Sequence, residues 1–187
     1  MTAKYSGSLT GEPIMLHETR LVAKKLLDGQ SEQEIKEELI ESNEFGYKTK
    51  KSIPKRLSAI FRRLKKLDND LLRIIVEDLS GDGKVIVVYA IALENRLFGE
   101  LISEIISKRL VIKDFEFPRT EIFNFITNKG ELNEQIGSFK DYTKYRLSLS
   151  MFNILKKAGI ITIKDKKPLL RPIIISYSLK NILNKEK

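Results

Sequence analysis

The chain has 187 residues, 42% of them hydrophobic, and no cysteine, so a core can be buried while disulfide frameworks, thiolate metal sites and thiol catalysis are excluded. Its formal charge of +9 and a pI near 9.6 direct attention to a polyanionic partner. The length suits one large domain or two small ones, and the lack of cysteine suits a reducing cytoplasm.

The opening residues, MTAKYSGSLTGEP, lack the basic-then-apolar order of a secretory signal. Leu16, Thr19, Val22, Ala23, Leu26 and Leu27 keep helical spacing, and Gly29 ends that helix. Ser31 with Glu34 forms a capping box for a second helix, whose stripe is Ile35, Leu39 and Ile40. A loop around Gly46 leads to a third helix with Pro54 in its first turn. There Ile53, Leu57, Ile60, Phe61, Leu64 and Leu67 form a continuous apolar stripe. Asp68 caps the next helix, which carries Leu71, Leu72, Ile75 and Val76, and a turn at Gly81–Gly83 follows.

The run VIVVYAIAL, Val85 to Leu93, is closely flanked by Lys84, Glu94 and Arg96. It falls well short of the roughly 20 residues a spanning helix needs, so a buried helix over Lys84 to Asn95 and no membrane span are expected. Another helix covers Leu97 to Leu110. Val111 to Pro118 breaks the pattern and reads as a linker, giving an N-terminal helical bundle over 1–112 and a C-terminal module over 118–187.

That module begins with a helix from about Thr120 to Asn128 and a short helical turn near Leu132 to Ile136. A long helix, introduced by Ser138 and Asp141, then runs to Ala158 and stops at Gly159. IITIKD and LLRPIII flank a basic turn as a β-hairpin, and a last helix lies near Tyr177 to Leu183. Helix, short helix, longer helix, hairpin is the order of a winged helix-turn-helix. The expected fold class is therefore mainly α.

The charge is segregated. Residues 47 to 67 contain nine Lys or Arg and no acid, residues 119 to 187 carry a balance of +8, and the remainder is acidic overall. On the third helix, Lys55, Arg62 and Lys66 fall opposite the apolar stripe, flanked by Arg56 and Arg63. Such a face suits phosphates, with affinity gained by counterion release, or else only solubilises the chain. On the long C-terminal helix, Leu147, Met151, Ile154, Leu155 and Ala158 turn inward. Tyr142, Thr143 and Arg146 then stand where a recognition helix reads bases or phosphates, with Lys140 and Lys144 gripping the backbone. The hairpin's Lys164, Lys166, Lys167 and Arg171 form a wing over adjacent phosphates. Winged helices also serve as protein-docking modules, so both uses stay open.

Enzymatic features are sparse. His17 is the single histidine and suits a surface or packing role. Glu34, Glu37, Glu38 and Glu41 share a face that reads as solvated rather than metal-binding. No phosphate-cradling glycine loop or nucleophile elbow occurs. No catalytic residue, metal site or cofactor is assigned.

Tyr5-Ser-Gly-Ser-Leu-Thr10, Leu16-His-Glu-Thr-Arg20 and the helix ending in Asp28-Gly29 resemble the BrxA family of bacteriophage exclusion (BREX) defence systems. Arg56, Leu57, Arg63 and Leu64 match its arginine- and leucine-containing helix, and Leu155-Lys-Lys-Ala-Gly-Ile160 its exit before a short hairpin. The resemblance implies a helical fold similar to the antitermination factor NusB and non-catalytic DNA binding. It also implies work beside a defence methyltransferase, an ATPase and a phosphatase-like protein. The expected partner is double-stranded DNA, with other BREX proteins as further partners. An RNA binder and a pure assembly subunit are the alternatives, and the oligomeric state stays open.

Overall fold

The computed structural model describes residues 4–78 and 80–185. The chain is mainly α-helical, with a single two-stranded antiparallel sheet among the described residues. It packs as two compact units, one built from residues 15–90 with 174–185 and the other from residues 4–14 with 91–173. The second unit thus contains the stretch 111–118 expected to separate domains, and residues 174–185 group with the first unit.

In the first unit lie α1 (Leu16–Leu27), α2 (Glu32–Ser42), α3 (Ile53–Leu64), α4 (Asn69–Glu77) and the start of α5 (Asp82–Glu94). Local signals set their ends. The Glu34 N–H donates to Ser31 Oγ at 3.3 Å while the Ser31 N–H donates to Glu34 Oε2 at 2.7 Å, the reciprocal pair of a capping box. Gly29 takes φ +87°, the left-handed conformation that closes α1. The Asp68 carboxylate caps α4 by accepting the Leu71 N–H at 2.9 Å. Val22, Ala23, Ile35, Leu39, Ile53, Leu57, Ile60, Leu71 and Ile75 are buried in this core. α11 (Tyr177–Lys185) packs on α4. It is capped by Ser176 Oγ, and the Ser176 N–H donates to the buried Asp82 carboxylate at 3.1 Å.

α5 buries Ile86, Val87, Val88, Ala90 and Ile91, as its flanked apolar run suggests, and leaves Tyr89 and Leu93 exposed along one side. Among the described residues no helix is long and apolar enough to cross a membrane. Beyond it come α6 (Arg96–Glu100), a π-helical stretch at Leu101–Ile106, and α7 (Ser107–Val111). The wider winding shows where the Ser107 N–H reaches back five residues to the Ile102 carbonyl.

The second unit continues with α8 (Thr120–Leu132), the short α9 (Glu134–Gly137), α10 (Asp141–Lys157), β1 (Ile161–Lys164) and β2 (Lys167–Leu170). Gly137 has no side chain because an added Cβ would meet the Gly130 carbonyl oxygen at 2.8 Å, so α9 can turn tightly against α8. α10 rests on α8 and on a 3-10 turn at Ser8–Gly11. It buries Leu147, Met151, Ile154 and Leu155, and also Phe152.

Residues 111–118 form part of this packing rather than a solvated linker. Val111 and Ile112 are exposed, but Phe117 is 1% exposed. The Phe117 N–H donates to the Pro168 carbonyl at 3.1 Å, and the Leu170 N–H donates to the Phe115 carbonyl at 2.8 Å. Residues 115–117 therefore line the outer edge of β2, with Glu116 bridging Leu169, and β1 pairs on its other side.

A candidate nucleic-acid interface

α3 presents its cations unevenly. Lys55 is exposed, while Arg56 and Arg62 are half-buried; Lys66, expected on this helix, is exposed in the turn after it, since α3 ends at Leu64. Arg62 donates to Ser58 Oγ one turn back at 3.3 Å, and Arg56 approaches the Met15 sulfur at 3.9 Å. Arg63, expected to flank this face, is instead 1% exposed and does not belong to it. The buried side of α3 is wider than the apolar stripe: Ala59 is fully buried too, and Arg63 lies only about 40° around the helix from it.

Between α2 and α3 runs a groove of about 390 Å³. Leu57 and Phe61 line it, and Lys36, Arg62 and Lys65 add cations. Lys65 Nζ sits 2.9 Å from Glu32 Oε1, so one of these charges is partly answered from α2. Charge pattern alone did not single out Lys36 or Lys65, because the groove exists only once two helices pack.

Of the four carboxylates expected to share one face of α2, three are engaged locally. Hydrogen bonds from the Ser31 N–H and hydroxyl hold the Glu34 carboxyl below its ordinary range. Those from Lys25 and Gln30 do the same for Glu38, and the Glu38 partner in turn raises the Lys25 ammonium. Glu37 accepts from Gln33, whereas at Glu41 it is the backbone carbonyl that accepts from Lys50.

In the other unit, the first turns of α10 carry Lys140, Tyr142, Tyr145 and Arg146 exposed, with Thr143 and Lys144 half-buried. The Thr143 methyl faces Gly7, so its side chain is turned toward the N-terminal segment. Tyr145 is 52% exposed.

The hairpin holds its cations outward. Lys164, Lys166, Lys167 and Arg171 are all exposed. Asp165 and Lys166 take φ of 49° and 63°, the pair of left-handed residues of a type I′ turn that matches strand twist. The turn places Lys164 directly across from Lys167 in register, a like-charge pair that costs stability without an anion nearby. Glu116 lies 4.0 Å from Lys167, a long and fully exposed pairing.

Sequence spacing gave no hint of one further cluster. Glu100 accepts the Tyr5 hydroxyl at 2.8 Å, Arg96 Nε at 2.8 Å and Lys129 Nζ at 2.8 Å, and Lys129 also reaches Glu104 at 2.7 Å. The Arg96 guanidinium lies 4.2 Å over the Tyr5 ring. Burial opposes ionisation of Glu100, but hydrogen bonds from Lys129, Arg96 and Tyr5 outweigh it and hold the carboxyl below its ordinary range. Burial and the Glu100 carboxylate push the Tyr5 hydroxyl up. Its partners are mutually satisfied, so this cluster fastens the N-terminal segment to α6 and α8.

Comparison with known proteins adds the context. The BrxA family model matches residues 3–187. A protein of Bacillus cereus (strain H3081.97) named BREX protein BrxA is 30% identical over 171 residues, covering 91% of this chain and 86% of the relative. Another so named, from Escherichia coli O9:H4 (strain HS), is 22% identical over 156 residues, covering 83% and 73%. The crystal structure of an uncharacterized protein from Magnetospirillum magneticum shares the fold at a TM-score of 0.82 and 18% identity, covering 98% of this chain and 94% of that one.

Proposed function

The chain belongs to the BrxA family of BREX proteins, and from that premise and its basic surfaces we propose that it is a non-catalytic DNA-binding component of an antiphage defence system. Duplex DNA is held mainly through phosphates. The observation that carries this is the hairpin: four exposed cations, two of them in register across the strands. Like charges so placed repel each other, Glu116 answers Lys167 only at 4.0 Å, and a phosphate backbone laid over the pair supplies further anions.

The element order supports a winged-helix-like module. Residues 115–117, α8, α9, α10, β1 and β2 follow in the sequence helix-turn-helix proteins use, with an isolated bridge at Glu116 against β2. In such a module α10 is the recognition helix, and its first turns offer Lys140, Lys144 and Arg146 to phosphates or base edges. Lys55 and Arg62 on α3, with Lys66 in the turn just after it, form a second phosphate-facing row, within a helical bundle of the NusB type. Phosphate contacts fix position without reading sequence, so weak sequence preference follows.

The test is anisotropy with a random-sequence duplex, comparing the parent chain with two triple variants, Lys164→Glu/Lys166→Glu/Lys167→Glu and Lys55→Glu/Arg62→Glu/Lys66→Glu. Each is expected to weaken binding alike on every sequence. Unchanged affinity in a folded hairpin variant removes the hairpin from the interface. Absence of DNA binding, with capture of other BREX proteins retained, would point instead to an assembly subunit.

A further inference from the structure

Tyr142 is 71% exposed and Tyr145 52% exposed, three residues apart on α10 and therefore neighbours on one helix face, with Cβ atoms about 5–6 Å apart. Two large rings left in water on a helix whose other side is well packed call for a partner, since Tyr gains most where its ring is covered. Lys140 and Arg146, both exposed, flank them, with Lys144 between, against one exposed acid, Asp141, on the same turn. A cationic field around paired rings suits a ligand that is anionic and carries flat π-faces.

Intact duplex DNA offers the anions but not the faces, because each base is covered above and below by its neighbours. Unpaired bases uncover those faces, and base–aromatic stacking is how single strands are held without sequence readout. We propose, resting on the DNA-binding reading above, that Tyr142 and Tyr145 form a stacking platform for unpaired bases. The favoured substrate is then duplex DNA interrupted by a single-stranded gap or fork, its paired arm held by the phosphate contacts. The competing role for both tyrosines is hydroxyl donation to phosphates. Phe substitution separates the two, since it keeps the ring and removes the donor.

The experiment uses the full chain and two labelled DNAs of equal length, one a uniform duplex and one with a short central gap carrying 2-aminopurine. Gapped DNA is expected to bind roughly ten-fold tighter or more, with the aminopurine fluorescence quenched. Tyr142→Ala/Tyr145→Ala should bind the two DNAs alike, losing that preference and the quenching, with unchanged circular dichroism. Tyr142→Phe/Tyr145→Phe should retain both. Equal affinity of the parent chain for the two DNAs overturns the platform and leaves duplex binding standing. A Phe pair as impaired as the Ala pair overturns it in favour of hydroxyl contacts. Binding to neither DNA overturns the DNA-binding reading and the platform with it.

Discussion

The ammonium of Lys129 on α8 lies 2.8 Å from Oε2 of Glu100 on α6, and the same carboxylate receives the Tyr5 hydroxyl from the N-terminal segment. Three stretches of chain thus meet on one group that is only 19% exposed. Glu100→Gln is expected to cost about 2 kcal/mol at neutral pH, the scale of hydrogen bonds to a charged partner. Because the folded carboxyl titrates below its unfolded value, its contribution is present above about pH 4.3. It fades as pH falls through the lower folded value. Melting curves of parent and variant should therefore converge on acidification, and a gap unchanged between neutral and acid pH would contradict this role.

Arg63 and Lys66 are separated by less than one helical turn yet differ in kind, the first buried and the second exposed. Arg63→Glu puts a carboxylate where an arginine is enclosed, and a loss of about 3 kcal/mol or more is expected. Lys66→Glu should change stability by about 0.5 kcal/mol or less. Urea titrations of the two variants check this, and equal stabilities would show that Arg63 is not enclosed.

Phe117 anchors the extended segment that borders β2. Phe117→Ala is expected to cost about 3–5 kcal/mol, the usual range for a fully buried aromatic ring. Hydrogen exchange should also speed up at the Leu170 amide, which bonds the Phe115 carbonyl. A solvated linker would instead tolerate the change with little effect on the melting temperature.

The capping box gives a milder case. Ser31→Ala is expected to cost about 1 kcal/mol, read as a lower urea midpoint with unchanged slope. Removing the hydroxyl also removes one of the groups that hold Glu34 low, so the Glu34 carboxyl should titrate higher by NMR. No movement of that titration would contradict the hydrogen bonding.

Local features were legible in the sequence. Ser31 and Glu34 sit three residues apart, Asp68 precedes its helix directly, and the α3 stripe repeats within twelve residues, so each is written in a short window. What depended on distant chain was not. Phe117 looks like linker until it meets Pro168, and Tyr5 meets Glu100 across 95 residues. Arg63 reads as one more surface cation because helical spacing alone cannot say how wide a face its neighbours cover. Of the candidate site, most cations on α3, α10 and the hairpin are solvent-facing to some degree, since Lys and Arg rarely bury their charges. The groove beside α3 and the exposure of Tyr145 emerge only from packing.

The most direct measurement is the salt dependence of affinity for a short random duplex, followed by fluorescence anisotropy. Log affinity is expected to fall linearly and steeply with log salt, the slope reporting how many phosphates the basic surfaces neutralise. Reversing Lys164, Lys166 and Lys167 should make that slope shallower. Absence of binding even at about 50 mM salt, or affinity indifferent to salt, would contradict a protein that holds DNA by its phosphates.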